Sequence, residues 1–229
     1  TQGWVNVLDS TSNVRGNAYM VATGGTPCTG AIVCTNYKQH TFTGPGTFCV
    51  AETAACAANN LVSYMVIAGG GGGGGYYAGG GGGAGGYREL SSPRAPYTAS
   101  PLDGYPTPAN RITVSVTAYP IVVGSGGAAG SGAPGSNCGT QGATSTFSTI
   151  NSAGGGYGAA QGGPTPVPGG GPGGSGGGGA GWCAPSAGGT GNTPPTTPDQ
   201  GFDGGAARTL GGDRGGGGGG SATAVGQVG

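Results

Sequence analysis

The fold of this chain is set by a stretch rich in glycine, MVIAGGGGGGGYYAGGGGGAGGYREL, residues 65 to 90. Its apolar run ends at Gly69, and glycine then dominates as far as Tyr87. Proteins use such glycine in three ways: as a phosphate-binding loop, as a flexible tether, or as the material of the fold itself. The rest of the sequence discriminates among the three.

A phosphate-binding loop is the first possibility. A strand followed by G-x-G-x-x-G outlines a dinucleotide site, and Glu89 follows Gly69 by about the twenty residues that separate the ribose-binding acid from the loop. That motif requires a helix that begins at the loop and directs its N-terminal amides at the pyrophosphate. Here Tyr76, Tyr77 and more glycine follow, which do not begin a helix, and G-K-[ST] does not occur. We therefore expect no nucleotide and no other cofactor.

A disordered tether is the second possibility. The chain has 62 glycines and 17 prolines among 229 residues, a proportion of roughly a third that is typical of low-complexity sequence. Disorder usually combines low hydrophobicity with high net charge. This chain instead has seven basic and seven acidic residues and no net charge. Because the charges balance, we expect no electrostatic repulsion that would keep the chain expanded. We also expect no attraction to nucleic acid or to anionic lipid.

The third possibility is a fold built from glycine. Polyglycine forms a left-handed helix of three residues per turn with no internal hydrogen bonds, and such rods can pack so that each N–H bonds a carbonyl of a neighbour. By the rise of about 3.1 Å per residue, residues 69–86 would form one rod of about 55 Å. Tyr76, Tyr77 and Tyr87 would then lie at rims or surfaces. We therefore predict a bundle of polyglycine rods joined by proline-rich loops.

The glycine is distributed unevenly, which predicts two regions. Residues 1–68 form an N-terminal β-strand region, and residues 69–229 form a glycine-rich domain with strands near 111–124 and 145–150. The predicted N-terminal strands are 4–8, 18–23, 31–37, 40–43, 47–50 and 61–68, with 40–43 and 47–50 forming a hairpin around Gly44-Pro45-Gly46. The glycine segments are 69–86, 124–135, 154–163, 169–181, 186–191 and 211–220. The fold class is mainly irregular and β, with essentially no α-helix.

Six cysteines are an even number in a chain that lacks an ordinary core: Cys28, Cys34, Cys49, Cys56, Cys138 and Cys183. None forms C-x-x-C and the chain has one histidine, which argues against zinc. Outside a reducing cytosol they could form disulfides. Proximity in sequence then suggests three pairs: Cys28 with Cys34, Cys49 with Cys56, and Cys138 with Cys183. Buried free thiols are the alternative.

No catalytic or metal-binding arrangement is visible. His40 lies in a predicted strand beside Phe42, where a packing or hydrogen-bonding role is expected. The carboxylates are scattered, and Asp199 and Asp203 lack the further oxygen ligands of a calcium loop. Arg88 and Glu89 are expected to form a surface ion pair at the end of a rod. The chain is not expected to be an enzyme.

Aromatic residues on a glycine-rich backbone are the candidates for surface recognition. Rigid rings beside glycine and serine supply contact area at low entropic cost, as in binding loops. The candidates are Tyr76, Tyr77, Tyr105, Tyr157 and Trp182. The alternative is that these rings cap the rods and shield them from water.

The order of motifs resembles a known family. HTFTGPGTFCV (40–50), SYMVIAGGGGGGG (63–75) and GGGGGAGGYRE (79–89) are followed by ITVSVTAYPIVVGSGGAAG (112–130) and STFSTINSAGGGYG (145–158). This order is similar to the glycine-rich domain of tail-fibre and other appendage proteins of tailed phages, cyanophages especially. The resemblance implies a rigid appendage with rods as scaffold and loops as variable tips. The family usually closes with a strand of the type S-G-I-V-I-I-R-Y, whereas this sequence ends in GQVG, so a fragment or a strand supplied from elsewhere is expected.

Two functions are consistent with these observations. The first is a virion structural protein, part of a tail fibre, that helps attachment to a bacterial or cyanobacterial surface through glycans or proteins. The second is a subunit of an extracellular filament that assembles through strands and rods without a dedicated receptor. In either case the partners are other copies or other fibre proteins, and the location is the virion or the extracellular space. No signal peptide or membrane-spanning run is visible, so we expect a soluble chain that is processed or part of a longer one.

Overall fold

The structure is a computed structural model that describes residues 16–34, 37–132, 137–160, 169–181, 186–210 and 213–229. The predicted strand at 4–8 lies outside these ranges, as do Trp182 and Cys183. Within them the only helical segments are two short 3-10 turns, Ala57–Asn60 and Pro108–Asn110. The prediction of a mainly β and irregular fold is therefore confirmed.

Short antiparallel strands form the base of the molecule, except for the last two, which lie at the far end of the glycine segments, beside Gly181. In chain order they are β1 (Val21–Thr23), β2 (Thr26–Val33), β3 (Tyr37–Thr41), β4 (Gly46–Glu52), β5 (Leu61–Val62), β6 (Tyr64–Ile67), β7 (Tyr87–Leu90), β8 (Ile112–Thr113), β9 (Ala118–Val122), β10 (Ser145–Phe147), β11 (Ile150–Ser152), β12 (Arg208–Leu210) and β13 (Asp213–Gly215). The largest sheet has the order β1-β4-β9-β10-β11, and β2–β3, β5–β8, β6–β7 and β12–β13 form separate pairs. Because β1 and β4 precede residue 68 and β9 to β11 follow it, one sheet crosses the predicted domain boundary.

Several strands pair differently from the prediction. The hairpin around Gly44-Pro45-Gly46 is wrong, because β3 pairs with β2, and β4 lies between β1 and β9. This placement buries Phe48 and Val50 of β4 in the core. The predicted strand 31–37 reverses after β2, where Cys34 has a φ of 47°. Local sequence contains the alternation of each strand but not the choice of its neighbour.

The longer predicted strands are each divided in two. The segment 61–68 breaks at Ser63 into β5, which pairs with β8, and β6, which pairs with β7. The segment 111–124 breaks between β8 and β9, so Val114 is buried whereas Val116 is 61% exposed. The predicted common face of Ile112, Val114 and Val116 therefore ends at Val114.

One hydrophobic core lies under these strands. Phe147 makes edge-to-face contacts with Phe48 and Tyr64, with ring centroids 6.1 and 6.0 Å apart. The buried members of the core are Ala22, Phe48, Val50, Tyr64, Val66, Leu90, Ile112, Val114 and Ile150. They come from β1, β4, β6, β7, β8 and β11 and the residue after β8, so the pairs β5–β8 and β6–β7 share one core with the largest sheet.

Beyond this base, the glycine segments run as extended rods that hydrogen-bond to one another through the backbone. We number them in chain order: rod 1 (68–75), rod 2 (78–86), rod 3 (124–132), rod 4 (137–143), rod 5 (153–160), rod 6 (169–172), rod 7 (175–181), rod 8 (186–191), rod 9 (201–207), rod 10 (216–221) and rod 11 (224–229). Rods 1, 2, 3 and 5 continue directly from or into the strands of the base.

The contacts between rods repeat every third residue. The N–H groups of Ala68, Gly71 and Gly74 in rod 1 donate to the carbonyls of Gly86, Gly83 and Gly80 in rod 2, at 3.1, 2.8 and 2.8 Å. The intervening N–H groups of Gly69 and Gly72 donate to rod 4 instead, at 3.0 and 2.9 Å. Rod 1 also accepts hydrogen bonds from rods 3 and 5. This is the period of the polyglycine helix, so the prediction of packed polyglycine rods is confirmed.

The rods are shorter than predicted. Residues 69–86 do not form one rod, because the chain reverses at Tyr76 and Tyr77 and rods 1 and 2 lie antiparallel. Residues 169–181 likewise reverse, and Gly177 of rod 7 donates to Gly171 of rod 6 at 2.9 Å. A single long rod would need partners along its whole length, whereas a reversed chain supplies its own.

Glycine is needed in the rods for its size and not for its conformational freedom. Among the described glycines from Gly44 onward, none has a φ in the left-handed region. A Cβ on Gly71 would overlap the carbonyl of Gly156, and one on Gly72 would overlap the carbonyl of Ala128. On Gly73, in contrast, the nearest atom to a Cβ would be the Gly80 oxygen at 3.7 Å. The rods approach so closely that only selected positions have room for a methyl group.

A neighbouring pair of alanine substitutions tests this packing. Gly72→Ala should destabilise the fold by about 3 kcal/mol or more, because the methyl group displaces a hydrogen-bonded backbone. Gly73→Ala should be neutral or stabilising by up to about 1 kcal/mol, because it restricts the unfolded chain where the native φ allows alanine. Denaturant unfolding of the three proteins measures the difference. Equal effects of the two substitutions would contradict the close packing.

The joint between base and rods is closed by Gln200, which is fully buried. Its Oε1 accepts the N–H of Ala153 at 2.8 Å, and its Nε2 donates to the carbonyl of Pro194 at 2.7 Å. Its own backbone carbonyl accepts the N–H of Tyr87 at 2.8 Å. The side chain and backbone of this one residue thus connect the start of rod 5, the first residue of β7 and the proline-rich loop 192–200.

Candidate recognition surface

The rods have one end at the base and one free end, where further connections join them, among them the β12–β13 pair between rods 9 and 10. Gly74 of rod 1 lies beside Ala159 of rod 5, and Gly75 lies beside Ser131 of rod 3. Gly216, at the start of rod 10, lies beside Gly79 of rod 2. The connections after rods 3, 5 and 7 pass through 133–136, 161–168 and 182–185, outside the described residues. The reversal at Tyr76 and Tyr77 is described, and it belongs to this free end.

Tyr76 and Tyr77 adopt a conformation that tyrosine rarely adopts. Their φ values are 66° and 30°, both in the left-handed region. For bulky residues this costs about 1–3 kcal/mol each and is uncommon outside functional sites. The N–H of Gly79 donates to the carbonyl of Tyr76 at 3.1 Å and closes the turn. Glycine would fit here without strain, yet this chain of 62 glycines has none at either position.

The two rings form a compact aromatic pair at the free end. Their centroids are 4.4 Å apart and their planes are inclined by 73°, an edge-to-face contact. Tyr77 is 82% exposed, and Tyr76 is half-buried. The pair thus presents a preorganised aromatic surface to solvent on the end of a hydrogen-bonded hairpin.

The other candidate aromatics lie elsewhere. Tyr105 is half-buried against the core of the base, and the guanidinium of Arg111 lies 4.3 Å from its ring centroid. Tyr157 is half-buried in rod 5, where its ring occupies the space beside Gly171. The structure does not bring either ring to Tyr76 and Tyr77. Both contacts agree with the alternative that these rings shield the structure from water. Trp182 lies outside the described residues.

The remaining candidate residues are engaged in structural contacts. His40 Nδ1 donates to the carbonyl of Gly24 at 2.7 Å, and its ring packs edge-on against Phe48 with centroids 5.2 Å apart. The carboxylates of Asp199 and Asp203 accept hydrogen bonds from Asn192 Nδ2 and the Gly191 N–H, at 2.5 and 2.7 Å. In the described part of the chain, no group of three or more His, Cys, Asp or Glu side chains could hold a metal ion.

The prediction of a surface ion pair at Arg88 and Glu89 is wrong, because both side chains are buried in β7. Arg88 donates to Asn110 Oδ1 at 2.7 Å. Glu89 accepts hydrogen bonds from the hydroxyls of Tyr87, at 2.9 Å, and Ser100. These contacts fasten the loop 91–110 to the base. Sequence carried no signal for this burial, since polar residues after a glycine segment usually face water.

Burial also changes the titration of nearby groups. Desolvation raises the pKa of Tyr64 to about 12, opposed by the positive charge of Arg88 and reinforced by Asp103. Desolvation lowers the pKa of Arg88. The Tyr64 hydroxyl donates to the carbonyl of Asn110 at 2.8 Å, and an ionised oxygen could not make this bond.

The raised pKa of Tyr64 predicts alkaline instability. Its unfolded pKa is about 10, so its contribution to stability is complete below pH 10 and is lost as the pH rises through the folded value of about 12. Tyr64→Phe should flatten the fall in stability over this range, which thermal unfolding at a series of pH values measures. Tyr19→Phe, at a residue 55% exposed, is the control. An unchanged alkaline slope in Tyr64→Phe would contradict the assignment.

The described cysteines are free thiols: Cys28, Cys34, Cys49, Cys56 and Cys138. The two local pairs suggested by proximity are therefore not formed in the structure. In each pair, extended chain separates the two cysteines. Residues 31–33 of β2 lie between Cys28 and Cys34. Cys49 lies within β4, whereas Cys56 lies beyond the end of that strand. Cys138 is also a free thiol, so its predicted pair with Cys183, which lies outside the described residues, is not formed in the structure either.

Two open clefts, each of about 270 Å³, lie among the described residues. One lies at the joint and is lined by Thr144, Asn151, Ala153 and Pro194. The other is lined by residues 25–26 and 41–46. Neither cleft has an ionisable side chain in its lining, so neither offers an acid, base or nucleophile.

These features define a class of protein: a small β base that carries a bundle of polyglycine rods with loops at its free end. Residues 42–229 match the family model described as a glycine-rich domain, and the chain belongs to that family. A search of the curated proteins and a search of the solved structures find no match. No helix of the described residues is long and apolar enough to cross a bilayer. The family description gives a composition, so the link to phage tail fibres stays a prediction.

Proposed function

We propose that this chain is a non-enzymatic structural protein of a phage tail fibre or similar appendage, and that its free end contributes to attachment to a host surface. The observation that carries this proposal is the strained aromatic pair at Tyr76 and Tyr77. Tyrosines with left-handed φ values destabilise a glycine-rich turn. We infer that they occur here because their rings have a function other than folding. Exposed Tyr77 supplies rigid contact area of the kind that dominates binding surfaces.

The architecture supports attachment for a second reason. A Cβ at most glycines inside the rods would meet backbone atoms of neighbouring rods, whereas a Cβ on Gly132, at the free end of rod 3, would meet nothing within 4 Å. A scaffold of this kind holds its tip rigid while the tip sequence changes. This separation suits a protein that must meet varying surface glycans or proteins of a bacterial or cyanobacterial host. The phage assignment itself rests on the order of sequence motifs.

The location can be tested by immunogold electron microscopy of virions and extracellular material from the source. An antibody against residues 93–98 is suitable, because this segment is largely exposed and belongs to the base, away from the free end. Label on tail fibres supports the proposal. Label confined to free filaments would contradict it and would favour the second candidate, a filament subunit located outside the cell.

Glycine substitutions at the turn separate recognition from folding. Tyr76→Gly and Tyr77→Gly should leave stability unchanged or raise it by up to about 1 kcal/mol, since relief of the left-handed φ is partly offset by unfolded-state entropy. Binding of labelled protein to host cells should fall by about tenfold or more. Tyr97→Ser, which removes an exposed ring from the base, is the matched control and should bind normally. Cell binding by the glycine variants at the original level would refute a role for these rings.

A further inference from the structure

Rod 3 and rod 11 each have an edge whose backbone groups make no backbone hydrogen bond to any other described residue. Rod 3 contacts the bundle through Gly127 and Gly130, which donate to the carbonyls of Gly70 and Gly73, both at 2.8 Å. Gly126 and Ala129, each one residue before a donor, are exposed and make no backbone hydrogen bond within the described residues. Successive free positions are therefore three residues apart, about 9 Å along the rod.

Rod 11 shows the same arrangement on the opposite edge. Gly226 and Gly229 donate to the carbonyls of Asp203 and Ala206 in rod 9, at 2.8 and 3.1 Å. Val225 and Val228 are 53% and 65% exposed. In the described structure their N–H and C=O groups have no backbone partner. An apolar stripe with free backbone groups thus runs along this edge at the same three-residue spacing.

Neither edge carries the features that prevent association. Exposed β-edges are usually protected by charged side chains or proline, but 124–132 reads GSGGAAGSG and 224–229 reads AVGQVG. Rod 3 presents only glycine, alanine and serine, so another backbone can approach it as closely as the rods approach one another. The side chains of Val225 and Val228 can pack against the small residues of such a surface.

The two edges also have compatible directions. Rod 3 follows β9 and runs to the free end, and rod 11 runs the same way, from Ala224 beside Ser221 to Gly229 beside Ala206. A copy displaced sideways would bring its rod 11 alongside rod 3 of its neighbour as a parallel pair. Parallel rods are already established inside the molecule, where rod 3 bonds rod 1 and rod 2 bonds rod 10.

We propose that rod 11 of one copy adds to rod 3 of a second copy, which continues the rod lattice between molecules. The interface is heterologous, so each copy keeps one unused edge and growth is open-ended. All free ends then face the same side of the array. This association is independent of any receptor, and it requires no residue of the aromatic pair.

Paired single-edge variants test the proposal. Ala129→Lys blocks the rod 3 edge and Val228→Lys blocks the rod 11 edge, because each would bury an unpaired charge at the contact. Sedimentation velocity of the purified chain should show concentration-dependent growth, and each variant alone should associate at least about tenfold more weakly. An equal mixture of the two variants should form dimers that grow no further, since it contains one intact pair of edges.

Ala187→Lys is the control, since Ala187 is equally exposed on rod 8, away from both edges, and this variant should associate normally. Thermal unfolding confirms that each variant is folded, and Val228→Lys stands as an independent test if Ala129→Lys is not.

A wild-type chain that stays monomeric at every concentration would overturn the proposal. So would variants that associate like wild type. Dimerisation of Val228→Lys alone would indicate a symmetric rod 3 contact instead, which also overturns it. Cell binding through the free end is unaffected in every case, so the two proposals fail separately.

Discussion

The backbone hydrogen bond between adjacent polyglycine rods is the interaction on which the rest of this molecule depends. It forms only where two backbones approach without Cβ atoms between them, which explains why most rod positions exclude a methyl group. Each such bond contributes about 0.5–1.5 kcal/mol net, whereas ordering one residue costs about 1–2 kcal/mol. A single rod pair is therefore unstable. A lattice in which rod 1 contacts rods 2, 3, 4 and 5 offsets the cost, and the apolar core of the base fixes where the first rods begin.

This constraint decides where the chain can vary. Inside the lattice, side chains are limited to positions with space, such as Gly70 and Gly73, and to residues that fill a particular gap, such as Tyr157 beside Gly171. At the described turn of the free end, Tyr76 and Tyr77 reverse the chain without side-chain contacts to the rod lattice being needed for the hydrogen bond that closes it. Both functions that we propose are therefore assigned to a turn and to the lattice edges. The tyrosines at 76 and 77 are the described residues where the demands of folding and the observed sequence disagree most.

The sequence alone predicts that the fold contains polyglycine rods and short strands, but it does not predict where the chain reverses or which strands pair. The glycine runs, the scarcity of charge and the absence of helical periodicity indicate rods. The single strand predicted at 145–150 is instead a hairpin, in which β10 reverses at Ser148 and β11 begins at Ile150. The reversal at Tyr76 was not predictable, because nothing in a glycine run marks where it turns. The strand pairings were missed because the rods bring distant strands such as β4 and β9 together. Buried Arg88 and Glu89 depend on partners in loop 91–110 that no local pattern identifies.

Amide hydrogen exchange along rod 1, resolved residue by residue by NMR, tests the central claim most directly. The N–H groups of Gly71, Gly72 and Gly74 are hydrogen-bonded to neighbouring rods, whereas those of Gly70 and Gly73 have no partner in the described structure. The account predicts slow exchange at the first three positions and fast exchange at the other two, a protection pattern with a period of three. Uniform protection along the rod, or none, would contradict a lattice of hydrogen-bonded polyglycine rods.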